Sequence, residues 1–88
     1  MQDYIKKDAV KRLKSAHGHL EYVIGLVESD QYCIDILQQS LAVQAALRAV
    51  DNIILEGHLE EHVAHAMGGK DKDKSIKEVV EVFARSRR

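Results

Sequence analysis

A chain of 88 residues with a formal charge of −1 and 31% charged side chains makes one small domain without the global basic excess that announces a nucleic-acid binder. No proline, five glycines and only 5% aromatic residues favour an all-α protein over a sheet protein. A single cysteine excludes an intrachain disulfide framework and fits a reducing compartment. With no apolar leader after Met1 and no apolar run of bilayer length, a cytoplasmic protein without membrane contact is expected.

The first element is a helix over about residues 4–28. Ile5, Ala9, Leu13, Ala16, Leu20, Val23 and Val27 recur at spacings of four and three, the stripe of an amphipathic helix in a bundle. Asp3 or Asp8 near its start would complement the helix dipole. Lys7, Lys11 and Lys14 form a basic stripe, with Lys6 and Arg12 on adjoining faces. On a lone monomer such a stripe is a solvated surface. Repeated by symmetry in an oligomer, it becomes a patch able to meet phosphates.

Ser29-Asp30-Gln31 is a polar break expected to reverse the chain and cap the next helix. That second helix is predicted over about 32–66, with Ile36, Val43, Leu47, Val50 and Ile54 as its seam. Ile34, Leu37 and Leu41 are expected to widen the seam towards the first helix. So broad an apolar face calls for partners on two sides, and a chain this short gains much from oligomerising. Gly68-Gly69 then ends the helix and Lys70 to Lys74 alternates in charge. A third helix over about 75–86 starts at Ser75 with Glu78 at capping-box spacing, and carries Ile76, Val79, Val80 and Phe83 on its apolar side. Residues 1–88 thus read as a single three-helix unit.

The long second helix carries the chemistry. His58 and His62 are four apart, so both imidazoles leave the same helical face and can chelate one ion, although such pairs also occur by chance on surfaces. Cys33 alone would read as a small buried hydrophobe, yet by chemistry it is the natural third ligand. It lies 25 positions before His58, a separation of roughly 37 Å along a helix, beyond any metal–ligand bond. The three can meet only between chains. An antiparallel pairing of the helix with its copy, crossing near Ala45 and Ala46, brings Cys33 of one subunit beside the histidine pair of the other, twice per dimer.

His58 to His62 also satisfies the inverted zinc-protease pattern H-x-x-E-H, with Glu61 as its acid. A hydrolase further needs a walled substrate cleft that three short helices scarcely provide. There is no Gly-rich phosphate loop and no paired-cysteine zinc motif. A helix-turn-helix is disfavoured because the helix after the turn is acidic where a recognition helix should be basic.

In Tyr32-Cys33-Ile34-Asp35-Ile36-Leu37-Gln38-Gln39, Ala42-Val43-Gln44-Ala45-Ala46-Leu47-Arg48 and Leu55-Glu56-Gly57-His58-Leu59, the chain resembles the CsoR/RcnR/FrmR family of bacterial metal- and stress-sensing repressors. The resemblance covers nearly the whole chain. It implies three-helix subunits in antiparallel dimers that assemble to tetramers and bind operator DNA without a helix-turn-helix. It places the sensing set at Cys33, His58 and His62, with the cysteine supplied across the dimer interface. It also places Tyr32 and Glu78 as the residues linking that set to the third helix.

A thiolate with two imidazoles suits Cu(I), and also Zn(II), Ni(II) or Co(II) with an added ligand. Met1 to Tyr4 holds no histidine of the kind nickel and cobalt members recruit. Gln2 stands where formaldehyde sensors have proline, and persulfide sensors need two cysteines. Cu(I) therefore leads. The family's basic run followed by Ile-Glu-Gly-Gln-Val is here Arg12-Leu13-Lys14-Ser15-Ala16-His17-Gly18-His19-Leu20, so Ser15 replaces a basic residue and two histidines enter. The expected function is a homotetrameric repressor that binds DNA when metal-free, with Lys7, Lys11, Arg12, Lys14 and Arg48 as the DNA contacts, and releases it on metal binding. The alternatives are a sensor of another metal on the same fold and a metal-binding oligomer without a DNA target. His17, His19 and His65 receive no role.

Overall fold

The computed structural model describes the backbone of residues 1–65, the side chains of residues 1–62 and, beyond them, Lys77, Glu78, Val80, Glu81, Val82 and Arg85. Among these residues every regular element is helical. Helix α1 spans Asp3–Glu28 and helix α2 spans Cys33–His65, packed as an antiparallel hairpin. The six described residues after position 76 are also helical and exposed, as a third helix over 75–86 requires. The Gly68-Gly69 linker, the Ser75 cap and the expected apolar positions Ile76, Val79 and Phe83 lie outside the described residues.

The turn works differently from its sequence expectation. Ser29, Asp30 and Gln31 close α1 rather than cap α2. Gln31 N–H donates to the Leu26 carbonyl at 3.0 Å and Asp30 N–H to the Val27 carbonyl at 3.1 Å, the paired bonds of a Schellman motif. Ser29 adds its N–H and its hydroxyl to the Gly25 carbonyl. The motif needs a left-handed residue after the cap, and Asp30 supplies it with φ 56°, a conformation that aspartate tolerates better than most residues. α2 then starts without a side-chain cap at Tyr32, whose carbonyl receives the Ile36 N–H.

The core is a seam of small residues. Ile5, Ala9, Ala16 and Val23 of α1 meet Val43 and Val50 of α2, and Val50 is 1% exposed. Gly57 completes the seam, because a Cβ there would lie 3.1 Å from Ile5 Cγ1 and 3.2 Å from Gln2 Oε1. Gln2 donates from Nε2 to the Gly57 carbonyl at 3.1 Å, and Tyr4 donates its hydroxyl to Glu60 at 3.0 Å. Together they stitch the start of α1 to the far end of α2. The bond to Glu60, with partial desolvation and the carboxylate's charge, holds the Tyr4 phenol above its usual range.

Only part of the predicted apolar stripe is buried. Leu13, Leu20 and Val27 stay substantially exposed, Leu20 at 46%. Ile34, Leu37 and Leu41 do not face α1 as expected, and Leu41 is 59% exposed. The reason is geometric: two helices in one layer, 13 Å in the shortest dimension, bury only the strip between them. At about 100° per residue, Leu13, Leu20 and Ile24 lie on one flank of the hairpin together with Leu47 of α2.

Candidate metal centre and basic face

The metal site depends first on α2 being unbroken. Its residues carry no proline and one glycine, and the helix runs without interruption from Cys33 to His65. Twenty-five helical positions are about seven turns, so Cys33 and His58 project within roughly 20° of one another along one face, with His62 beside them. The imidazole rings of His58 and His62 stand 4.1 Å apart, centroid to centroid, at 50°. That spacing suits two nitrogens converging on one ion. Cys33 is a free, exposed thiol.

The described residues of one chain hold no group of three His, Cys, Asp or Glu side chains able to bind a metal. The set is split between the two ends of a rigid rod. Its face is continuous with the exposed apolar flank of Leu13, Leu20, Ile24 and Leu47. Ala46, placed at the helix crossing on sequence grounds, is instead turned towards α1 and half-buried. Leu47, 41% exposed, lies near the midpoint of the cysteine–histidine face. Tyr32 is exposed beside Cys33, and Glu78 is exposed on the third helical stretch. Neither has a described hydrogen bond to an imidazole of its own chain, and Tyr32 is separated from both by the length of α2.

The basic residues lie elsewhere. Lys7, Lys11 and Lys14 occupy the back of α1, away from α2, and all are exposed. Lys7 pairs with Asp3 at 3.3 Å and Arg12 with Asp8 at 3.1 Å, both one helical turn apart. Asp8 therefore serves Arg12, while Asp3 alone sits in the first turn. Such exposed pairs are worth less than about 1 kcal/mol and exchange readily for a phosphate. Arg48 is exposed on α2.

A family model described as metal-sensitive transcriptional repressor matches residues 5–85. The chain belongs to that family. Its members are repressors rather than enzymes, so the H-x-x-E-H pattern at His58–His62 does not mark a hydrolase.

Among the chain's relatives, the copper-sensing transcriptional repressor CsoR of Bacillus subtilis (strain 168) is 40% identical over 78 residues, covering 89% of this chain and 77% of that protein. The CsoR of Mycobacterium ulcerans (strain Agy99) is 46% identical over 55 residues, 62% of this chain. The chain spans about half the length of that relative, the match covering 47% of it. Among solved structures, the copper-sensing repressor CsoR with Cu(I) from Geobacillus thermodenitrificans NG80-2 superposes with a TM-score of 0.86 at 35% identity, covering 100% of this chain and 92% of that one. The nickel-responsive transcriptional regulator InrS superposes with a TM-score of 0.74 at 29% identity, covering 90% of this chain and 89% of its own.

Sequence reasoning missed three side-chain hydrogen bonds between the two arms of the hairpin. They are Gln2 to Gly57, Tyr4 to Glu60, and the 2.7 Å bond between His19 Nε2 and Gln39 Oε1. All three cross from α1 to α2, and only the register of the hairpin reveals them.

Proposed function

We propose that this repressor senses Cu(I) through a site shared between subunits, with Cys33 from one chain and His58 and His62 from an antiparallel partner. The observation that carries the reading is the continuity of α2. It holds the thiol and the imidazole pair on one face, about seven turns apart, so a two-fold copy running the other way supplies what each end lacks. A soft thiolate with two imidazoles matches Cu(I) in chemistry. The relatives' names and the Cu(I)-bound neighbour point the same way. Tyr32 and Glu78 would tie the site to the third helix.

Metal-free, the assembled homotetramer binds operator DNA through Lys7, Lys11, Arg12, Lys14 and Arg48. Metal binding then favours an arrangement that fits DNA poorly. By linkage, DNA weakens metal binding by the same factor, typically about 1–3 kcal/mol. The nickel-responsive neighbour keeps Ni(II) as the second reading.

One experiment separates these readings. The apo-protein is titrated anaerobically with Cu(I), Ni(II) and Zn(II) while release of a duplex bearing its own promoter is followed, with Cys33→Ala as control. One Cu(I) per subunit with DNA release, both lost in the variant, is the expected result. Undiminished Cu(I) uptake by Cys33→Ala or by a strictly monomeric variant would end the proposal. Metal uptake without any duplex binding would leave a helical metal-binding oligomer instead.

A further inference from the structure

We propose that the cleft between α1 and α2 lined by Arg12, Ser15 and His19 seats a phosphate of the DNA backbone. The inference rests on the DNA-binding reading above and deepens it by naming a subsite and two residues outside the lysine stripe. The cleft has a volume of about 190 Å³, and its remaining lining is Ala16, Ala46 and Ala49. That is several times the roughly 30 Å³ that a water molecule takes up in the liquid. No carboxylate lines it, and the alanine floor brings no competing side chain.

The polar wall follows from helical spacing. Positions 12, 15 and 19 are three and four apart, so their side chains stack along one face of α1. Arg12 meets Asp8 through Nε, which leaves its two terminal NH2 groups as donors. Ser15 adds a hydroxyl. His19 is fixed across the helix interface by Gln39 at 2.7 Å through Nε2. Gln39 Oε1 accepts from Nε2–H, so the ring donates to a phosphate from Nδ1 as the imidazolium, the form that a neighbouring anion favours. Gln39 is thus a positioning residue that holds the imidazole at the cleft wall.

Placement favours DNA as the source of the phosphate. The cleft opens on the flank opposite Leu13, Leu20, Ile24 and the Cys33–His58 face, so a dimer formed over that apolar flank leaves it free. Lys11 lies one turn before Ser15, and Gly18 between Lys14 and the cleft is bare helix with nothing within 4 Å of a Cβ built there. A strand tracking the lysines meets the cleft without an intervening side chain.

The test uses the full chain with two probes. In a mobility assay, His19→Ala and Ser15→Ala each weaken binding about tenfold, equally for the promoter duplex and an unrelated one, as loss of a backbone contact requires. Cu(I) uptake and oligomeric state stay unchanged. Ser15→Arg strengthens binding and steepens its salt dependence. In an NMR titration with inorganic phosphate at constant ionic strength, resonances of residues 12, 15, 19 and 39 shift in the parent chain and not in His19→Ala. Duplex affinities within twofold of the parent for both alanine variants overturn the proposal, as does a loss confined to one sequence. A parent chain that binds no duplex at all defeats the DNA-binding reading itself. Phosphate shifts in the cleft would then assign it to a free oxyanion and overturn DNA as the source.

Discussion

Among the described residues three glycines lie within helices, and two of them show how little residue type says without its neighbours. Gly57 faces Ile5 and Gln2 at 3.1–3.2 Å from a notional Cβ, whereas Gly18 faces open space. Gly57→Ala forces the start of α1 away from α2 and should destabilise the fold by about 1–3 kcal/mol. Gly18→Ala meets nothing and should stabilise it by up to about 1 kcal/mol, the ordinary helical cost of glycine. Urea denaturation of the two variants beside the parent tests the contrast, and equal effects would refute it. Gly18→Ala should at the same time lower duplex affinity if the backbone approaches that bare stretch. The candidate metal set was proposed at this scale, because i, i+4 histidines and a lone cysteine declare their chemistry in one dimension. The His19–Gln39 bond was not, because it joins residues twenty positions apart across a hairpin.

At the scale of the elements, apolar periodicity located both helices to within about a residue at the ends that can be compared, yet it misassigned part of their faces. A stripe of leucine, valine and alanine does not say which neighbour each side chain will meet. Ala9 and Ala16 sit in the seam between α1 and α2, where close approach rewards small size, while Leu13 and Leu20 on the flank remain exposed. Large side chains left uncovered beside the proposed metal ligands argue for a second subunit on that flank. Leu20→Gln combined with Leu13→Gln should therefore dissociate the oligomer and abolish Cu(I) uptake, with Cys33, His58 and His62 all intact. Sedimentation velocity alongside the metal titration measures both effects. Full metal uptake by a dissociated variant would contradict the shared site.

The whole molecule is a thin object. Among the described residues the core amounts to Ile5, Ala9, Ala16, Val23, Val43 and Val50, which buries too little apolar surface to be strongly stable alone. Stability on this view is inseparable from association, so the melting temperature should rise with protein concentration and rise again with saturating Cu(I). A melting temperature independent of concentration across two orders of magnitude would show that the isolated hairpin holds itself together. The chain's fold class and family were readable from sequence because they rest on local periodicity and short motifs. Assembly enters only as a requirement of the proposed site, since nothing along one chain could bring the thiol to the imidazoles.

On the proposed shared site, one uninterrupted rod joining the thiol to the imidazole pair also makes the ion's cage a matter of phase. Each residue inserted between the cysteine and the first histidine would turn one ligand set by about 100° relative to the other, and by symmetry both cages of a dimer would fail in the same stroke. Seven inserted residues would restore the bearing and merely lengthen the span. Drift along this family is therefore expected to tolerate changes of side chain in the middle of that rod far more readily than changes in its length.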